Sequence, residues 1–311
     1  MGSLLSRLKK TRAAFPGGCD IGIRPIDLHL KGFRALNIEI AEQGGHLFCD
    51  GTQARGGNIH LDFPSVGATE NIVLAAVLLE GRTVITNAAK EPEIVALQDF
   101  LNLMGAKVRG AGSDTIEITG VKKLNSLEFT PIPDRIVAGT YLLAAAITHG
   151  ELLITNCIPK HFEALTDKLS GVVERLERYK DSVYIKAKKE INCISMIETM
   201  PYPGFPTDLQ APMLALQTVC KGSSIIVENI FETRFKHIGE LTKMGANIVV
   251  KDKIALIRGV KHLHGAEVTA HDLRGGAALV LAGLSALGTT EILEGKHIDR
   301  GYYKLDEALC S

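Results

Sequence analysis

Residues 209–229 read LQAPMLALQTVCKGSSIIVEN. A run of small apolar residues long enough for a buried helix comes first. Gly222 then supplies the residue that a helix end wants in a left-handed turn, and Ile225-Ile226-Val227 has the β-branched character of a strand. Residues 68–87, 139–156 and 275–293 repeat this layout around Gly81, Gly150 and Gly288. The four glycines stand roughly 70 residues apart, which marks an internal repeat, and a positive φ is expected at each. The strands that follow them are Thr83-Val84-Ile85-Thr86, Leu152-Leu153-Ile154-Thr155, Ile225-Ile226-Val227 and Thr289-Thr290-Glu291-Ile292.

The second half of the unit recurs too. Residues 92–104 read as an amphipathic helix leading to Gly105-Ala106-Lys107-Val108, and residues 235–244 do the same before Gly245-Ala246-Asn247-Ile248. Ile116-Glu117-Ile118 and Ile254-Ala255-Leu256-Ile257 close their units as paired strands. The expected unit is helix, strand, helix, strand, strand. It is too short to bury both faces alone, so units must pack on one another. The class is α/β with mixed sheets. A doubly wound nucleotide fold is a poor match, because no G-x-G-x-x-G opens a helix and no Walker A motif occurs.

A chain of 311 residues with 46% hydrophobic content fits two domains of ordinary size, divided here as 1–132 and 133–311. Lys plus Arg and Asp plus Glu balance at 35 each, which argues against a nucleic-acid or anionic-membrane binder, and the absence of Trp argues against base-stacking platforms. The six cysteines, Cys19, Cys49, Cys157, Cys193, Cys220 and Cys310, form no C-x-x-C pair and read as free thiols of a reducing compartment. No apolar run reaches the roughly 20 residues of a membrane helix. The basic start, residues 1–12, has no long apolar core of a secretory signal. It reads as a helix with Leu4, Leu5 and Leu8 on one face rather than as a transit peptide.

Several stretches carry chemistry. Pro16-Gly17-Gly18-Cys19-Asp20-Ile21-Gly22-Ile23-Arg24 sets one cysteine among three glycines; Arg24 favours a thiolate and Asp20 opposes it, and an inert buried cysteine in a turn is the plainer alternative. Asp62-Phe63-Pro64-Ser65-Val66-Gly67 opens a helix, so it is either ordinary capping or an anion site on free N–H groups. Phe205-Pro206-Thr207-Asp208 precedes another helix, where Asp208 is either an N-cap or a general base. Asp272-Leu273-Arg274 and His297-Ile298-Asp299-Arg300 place arginines that are either solvated or phosphate ligands.

These motifs, in this order, resemble the enolpyruvyl transferases that use a UDP-sugar acceptor. The resemblance covers roughly residues 2–308. The Gly-Gly-Cys series followed by Arg24-Pro25-Ile26-Asp27-Leu28-His29 is similar to that family's mobile catalytic loop and the strand after it. The resemblance implies that Cys19 acts on phosphoenolpyruvate, as proton donor or covalent partner, and is the residue that fosfomycin attacks. It implies that Arg24 holds phosphoenolpyruvate and that the run 24–29 borders the uridine. Ser65, Val66 and Gly67 match the segment at the diphosphate, although Phe63 stands where some members have lysine. Asp208 matches the base at the sugar 3′-hydroxyl, and Ile230 matches an apolar contact to the sugar nucleotide. Arg274 and Arg300 match cleft arginines, the second a phosphate ligand, and Glu91 and Asp134-Arg135 match further cleft positions.

The implied fold is a two-domain inside-out α/β barrel of repeated units, incomplete at both ends. The family carries a Lys-Asn pair in a segment ahead of the residues matched here, and that pair is not found. Asp20 beside Cys19 departs from the pattern, as do Leu36-Asn37 and Gly171-Val172 in place of a Gly-Ala step. The implied activity is enolpyruvyl transfer from phosphoenolpyruvate to the 3′-hydroxyl of UDP-N-acetylglucosamine in peptidoglycan synthesis. It is expected of a cytoplasmic monomer with no metal or organic cofactor. The alternatives are the related shikimate-pathway transferase, a binding-only or inactive fragment, and a structural repeat module.

Overall fold

The structure is a computed structural model that describes residues 1–15 and 26–310, Cys310 by its backbone only. Two compact units divide between residues 132 and 133. The first contains α1 (Gly2–Leu8), β1 (Lys10–Ala14), α2 (Asp27–Ala35), β2 (Glu39–Gln43) and β3 (His46–Asp50). After these come β4 (Asn58–His60), α3 (Val66–Ala76), β5 (Arg82–Thr86), α4 (Pro92–Leu103), β6 (Lys107–Arg109) and β7 (Thr115–Thr119). The sheets are an antiparallel β1-β3-β2 and a mixed β4-β5-β7-β6, in which β4 runs parallel to β5. Phe33, Leu47, Ile72, Ile85 and Ile116 are fully buried at the centre of this unit's core.

The second unit contains α5 (Arg135–Ile147), β8 (Glu151–Thr155), α6 (Glu163–Ser170), β9 (Arg175–Arg178) and β10 (Ser182–Lys186). It continues through β11 (Met196–Glu198), α7 (Gln210–Val219), β12 (Ser223–Val227), α8 (His237–Lys243), β13 (Asn247–Lys251) and β14 (Ile254–Arg258). It ends with β15 (Glu267–Thr269), α9 (Leu273–Ser285), β16 (Glu291–Leu293), α10 (Lys296–Asp299) and α11 (Leu305–Cys310). Its β8-β10-β9 sheet is antiparallel, β11-β12-β14-β13 repeats the mixed order of the first unit, and β15 pairs in parallel with β16. Helices α5, α7 and α9 pack on one another. They are apolar on nearly every face and rich in Ala and Gly, as helices enclosed on all sides must be; Gln210 through Thr218 of α7 are all buried. The outward face of the mixed sheet carries Met196, Ile225, Leu256 and Val249 in one register row, with Val249 61% exposed.

The repeated α/β architecture with mixed sheets is present, with differences in detail. A three-residue strand precedes α3, α7 and α9 in each case, so the fuller unit is strand, helix, strand, helix, strand, strand. A fifth repeat, α1-β1-α2-β2-β3, is present where four were expected, because Lys9 (φ 63°) makes the left-handed turn that glycine makes elsewhere. Gly81, Gly222 and Gly288 have the expected positive φ, but in the second repeat of the series the left-handed residue is His149 rather than Gly150. The segment at Asp27, expected as a strand, is the helix α2. The start is a helix only as far as Leu8. Of its three leucines only Leu5 reaches the core, while Leu4 and Leu8 are exposed, so they do not share one buried face. No helix among the described residues is long and apolar enough to cross a membrane.

Candidate functional site

In the second unit the first turns of α5, α7 and α9 lie close together. Asp134 caps α5, accepting from the Ile136 and Val137 amides at 2.7 and 3.0 Å, and Asp272 caps α9, accepting from the Arg274 and Gly275 amides at 2.9 Å each. Asp208 sits at the matching place before α7, within a short 3-10 turn, and caps nothing. The N-cap alternative is therefore set aside. Its carboxylate accepts instead from Arg234 Nη2 at 2.5 Å and lies 3.5 Å from Arg274 Nη2.

The burial is the reverse of a usual surface ion pair. The Arg234 and Arg274 side chains are 4% and 12% exposed, whereas Asp208 is 42% exposed. Two desolvated cations thus support one reachable carboxylate. Desolvation pushes the Asp208 carboxyl up, but the charges of Arg234 and Arg274, the hydrogen bond from Arg234 and the more distant charge of Arg135 outweigh it and hold the group below its ordinary value. Arg234 lies against the Phe231 ring and Arg274 against the Tyr302 ring, whose hydroxyl meets Thr140 Oγ1 at 2.9 Å. Arg234 Nε and Arg274 Nη1 are buried without a hydrogen-bond partner, so the two guanidinium groups carry more donors than the one carboxylate beside them uses. Behind Arg234 is His237, 2% exposed; desolvation lowers its pKa to about 4, with the Asp272 carboxylate acting in the opposite direction.

Arg300 is exposed at the end of α10. Gly301 next to it packs on Leu273, where a Cβ would fall 2.9 Å from the leucine side chain, so Arg300 is carried to the same end of α9 as Arg274. Ile230, half-buried, sits in the loop after β12, and its amide donates to the buried carboxylate of Glu228 at 2.9 Å. Arg234 was legible as part of a motif but not as a site residue. Its only local signal is a lone cation between Phe231 and Phe235.

In the first unit, Ser65 is the N-cap of α3 and accepts from the Ala68 amide at 3.3 Å. Val66 and Gly67 follow as the first two residues of that helix, where amides have no intrahelical acceptor. Ile26 is the N-cap of α2 and Asp27, Leu28 and His29 form its first turn, packed beside α3. Asn71 joins the two helices. Its Oδ1 accepts from the Gly2 amide at 2.9 Å, and its Nδ2 donates to His29 Nδ1 at 2.8 Å, which leaves the His29 proton on Nε2. Burial, the largest cause, keeps the His29 pKa below its ordinary value. A Cβ at Gly67 would meet the His29 ring at 3.3 Å, so glycine lets the two segments touch. Structure therefore brings Ile26–His29 and Ser65–Gly67 together within one unit, and Asp208, Arg274 and Arg300 within the other. Cys19, Arg24 and Pro25 lie outside the described residues.

Residues 1–309 match the family described as EPSP synthase (3-phosphoshikimate 1-carboxyvinyltransferase). The chain is 55% identical to UDP-N-acetylglucosamine 1-carboxyvinyltransferase 2 of Caldanaerobacter subterraneus subsp. tengcongensis, over 100% of its own length and 75% of that protein. It is 51% identical to UDP-N-acetylglucosamine 1-carboxyvinyltransferase of Clostridium botulinum, over 100% of its length and 74% of the relative. Among solved structures, the enolpyruvyl transferase NikO from Streptomyces tendae aligns with a TM-score of 0.84 at 24% identity, covering 99% of this chain and 73% of that one. EPSP synthase from Acinetobacter baumannii aligns with a TM-score of 0.67 at 21% identity, covering 98% and 75%. These two share the fold.

Proposed function

The chain belongs to the family of the UDP-N-acetylglucosamine 1-carboxyvinyltransferases, which are enolpyruvyl transferases, and on that premise we propose the reaction it performs. The enolpyruvyl group of phosphoenolpyruvate passes to the 3′-hydroxyl of UDP-N-acetylglucosamine, and phosphate leaves, a step of peptidoglycan synthesis. The observation that carries the reading is Asp208: a reachable carboxylate, held ionised by two buried arginines, that caps no helix and faces outward.

In this reading Asp208 removes the 3′-hydroxyl proton as that oxygen bonds to C2 of phosphoenolpyruvate, while the Cys19 thiol gives its proton to C3. The resulting tetrahedral adduct returns a C3 proton to the Cys19 thiolate as its C2–O bond to phosphate breaks, leaving an enol ether. Arg24 and Arg300 hold the phosphate, where preorganised charge stabilises the transition state most. Arg24, Pro25, Ile26, Asp27, Leu28 and His29 border the uridine, Ser65, Val66 and Gly67 take the diphosphate at the start of α3, and Ile230 packs on the sugar nucleotide. The two compact units are the two repeat domains. The same reading makes the protein a cytoplasmic monomer, in keeping with the free cysteines Cys49, Cys157, Cys193 and Cys220 among the described residues.

The test is phosphate release with phosphoenolpyruvate and either UDP-N-acetylglucosamine or 3-phosphoshikimate. Release with the sugar nucleotide alone as acceptor is expected. Release with 3-phosphoshikimate instead would reassign the acceptor. No release, together with no heat of UDP-N-acetylglucosamine binding, would overturn the function. Fosfomycin should label Cys19 ahead of the other five cysteines, which peptide mapping reads directly.

A further inference from the structure

Glu228 follows β12 directly, and it is 1% exposed. Its carboxylate draws donors from three separate segments. Thr199 Oγ1, just past β11, donates to Oε1 at 3.0 Å. The Ile230 and Phe231 amides, in the loop after β12, donate to Oε1 at 2.9 and 3.1 Å. Thr207 Oγ1, in the turn before α7, lies 3.0 Å from each carboxylate oxygen. A buried carboxylate persists only when donors meet it, and most of the donors here come from the two loops that carry Asp208 and Ile230.

The bond to Thr207 has a direction. A carboxylate accepts and does not donate, so Thr207 commits its single hydroxyl proton to Glu228 and turns its lone pairs the other way. Arg234 Nη1 donates into them at 3.1 Å, and the other end of the same planar group, Nη2, reaches Asp208 at 2.5 Å. Two fixed points on one rigid fork set its orientation. We propose that Glu228 is a positioning residue for the transfer reaction, which through Thr207 orients the Arg234 guanidinium on Asp208 and through two backbone amides fixes the loop of Ile230. The inference rests on the function proposed above, but its geometry does not require a substrate. Asp208 is also faced by Arg274 and, further off, Arg135, so losing the Arg234 alignment weakens its hold without abolishing it.

The experiment compares Glu228→Gln, Thr207→Val and Thr207→Ser in the full chain. Nitrogen-15 NMR of the Arg234 guanidinium at neutral pH reports whether the group is fixed, without any substrate. Separate Nη signals are expected in the parent and in Thr207→Ser, which keeps the hydroxyl. Averaged signals are expected in Thr207→Val and Glu228→Gln. In phosphate release, Thr207→Val and Glu228→Gln should lower kcat about tenfold to a hundredfold, and Thr207→Ser should restore it. Should either single variant fail to fold, the double variant Glu228→Gln/Thr207→Val removes the buried charge together with its hydroxyl donor and takes its place. A folded Thr207→Val or double variant whose Arg234 signals stay separate overturns the proposal. A parent that releases no phosphate removes the proposed function, while the NMR comparison still decides the role of Glu228.

Discussion

Asp208 and Arg234 make a pair whose partners have unequal stakes. The arginine is buried and needs its counter-charge; the aspartate faces outward and keeps Arg274 as a second partner. Asp208→Asn should therefore abolish phosphate release and also lower stability by about 1 kcal/mol, as Arg234 exchanges a carboxylate for a neutral oxygen. Urea denaturation beside the activity assay checks both; a fully stable variant would mean that Arg234 finds another acceptor. The pH dependence follows from the sign of the shift. A carboxyl lowered from 3.8 contributes its ion pair above that value and loses it only as pH falls through the still lower folded value. A loss of turnover between pH 7 and 5 is then not the titration of Asp208. His237 acts in the same direction but over a higher pH range. Its pKa falls from 6.5 unfolded to about 4 folded, so the unfolded chain takes the proton first as pH drops. Stability from this group is complete above 6.5 and declines toward about 4, by at most about 1.4 kcal/mol per pH unit. Urea midpoints from pH 7 to 4 should fall less steeply in His237→Gln than in the parent. Parallel slopes would assign the acid sensitivity elsewhere.

At the scale of elements, the repeats share a pinch point. The residue after β7 and the residue after β14 are Gly120 and Gly259. Their amides donate to the carbonyls of Gly81 and Gly222 at 3.1 and 3.0 Å. A Cβ at either would fall 1.5 Å from a backbone oxygen, that of Leu79 or of Cys220. Backbone cannot retreat as a flexible side chain can, so Gly120→Ala and Gly259→Ala should each cost about 3 kcal/mol or more. Gly239→Ala, in α8 with open space around it, should be neutral or stabilising by up to about 1 kcal/mol. Equal urea midpoints for Gly239→Ala and Gly259→Ala would show that the strand end can shift. The elements that sequence made legible are those with local signals, such as the Ala-rich helices and the β-branched strands beyond them. The strands β4, β11 and β15 escaped because three residues gain their identity only by pairing with a strand on the far side of a helix. The α1-β1 repeat escaped because a lysine holds the turn and KTRAA has little strand character. The candidate site divides likewise. Asp208, Arg274 and Ser65 stand in motifs that can be read in line, whereas the weight of Arg234 and Glu228 depends on approaches across 26 and 21 residues of chain.

Across the whole molecule, apolar burial is divided. Among the described residues, the core around Phe33 and Ile72 uses those of the first unit, and the core around Leu142, Leu214 and Leu279 uses those of the second. The residues 120–134 that join the two units contain no regular structure. A polypeptide of residues 133–311 should therefore fold alone, with a cooperative urea transition and dispersed NMR signals. A molten, dye-binding product would show that this core needs the other unit. The register row of Met196, Ile225, Leu256 and Val249 has a consequence for behaviour in solution. With a pI near 7.1 the molecules carry almost no net charge at neutral pH, so nothing repels two such faces as they meet. Salting-out should begin at lower ammonium sulfate near pH 7 than near pH 8.5, since sulfate strengthens apolar contact while charge restores repulsion. Val249→Lys, on the most exposed residue of the row, should move that threshold upward and leave the sheet beneath it in register.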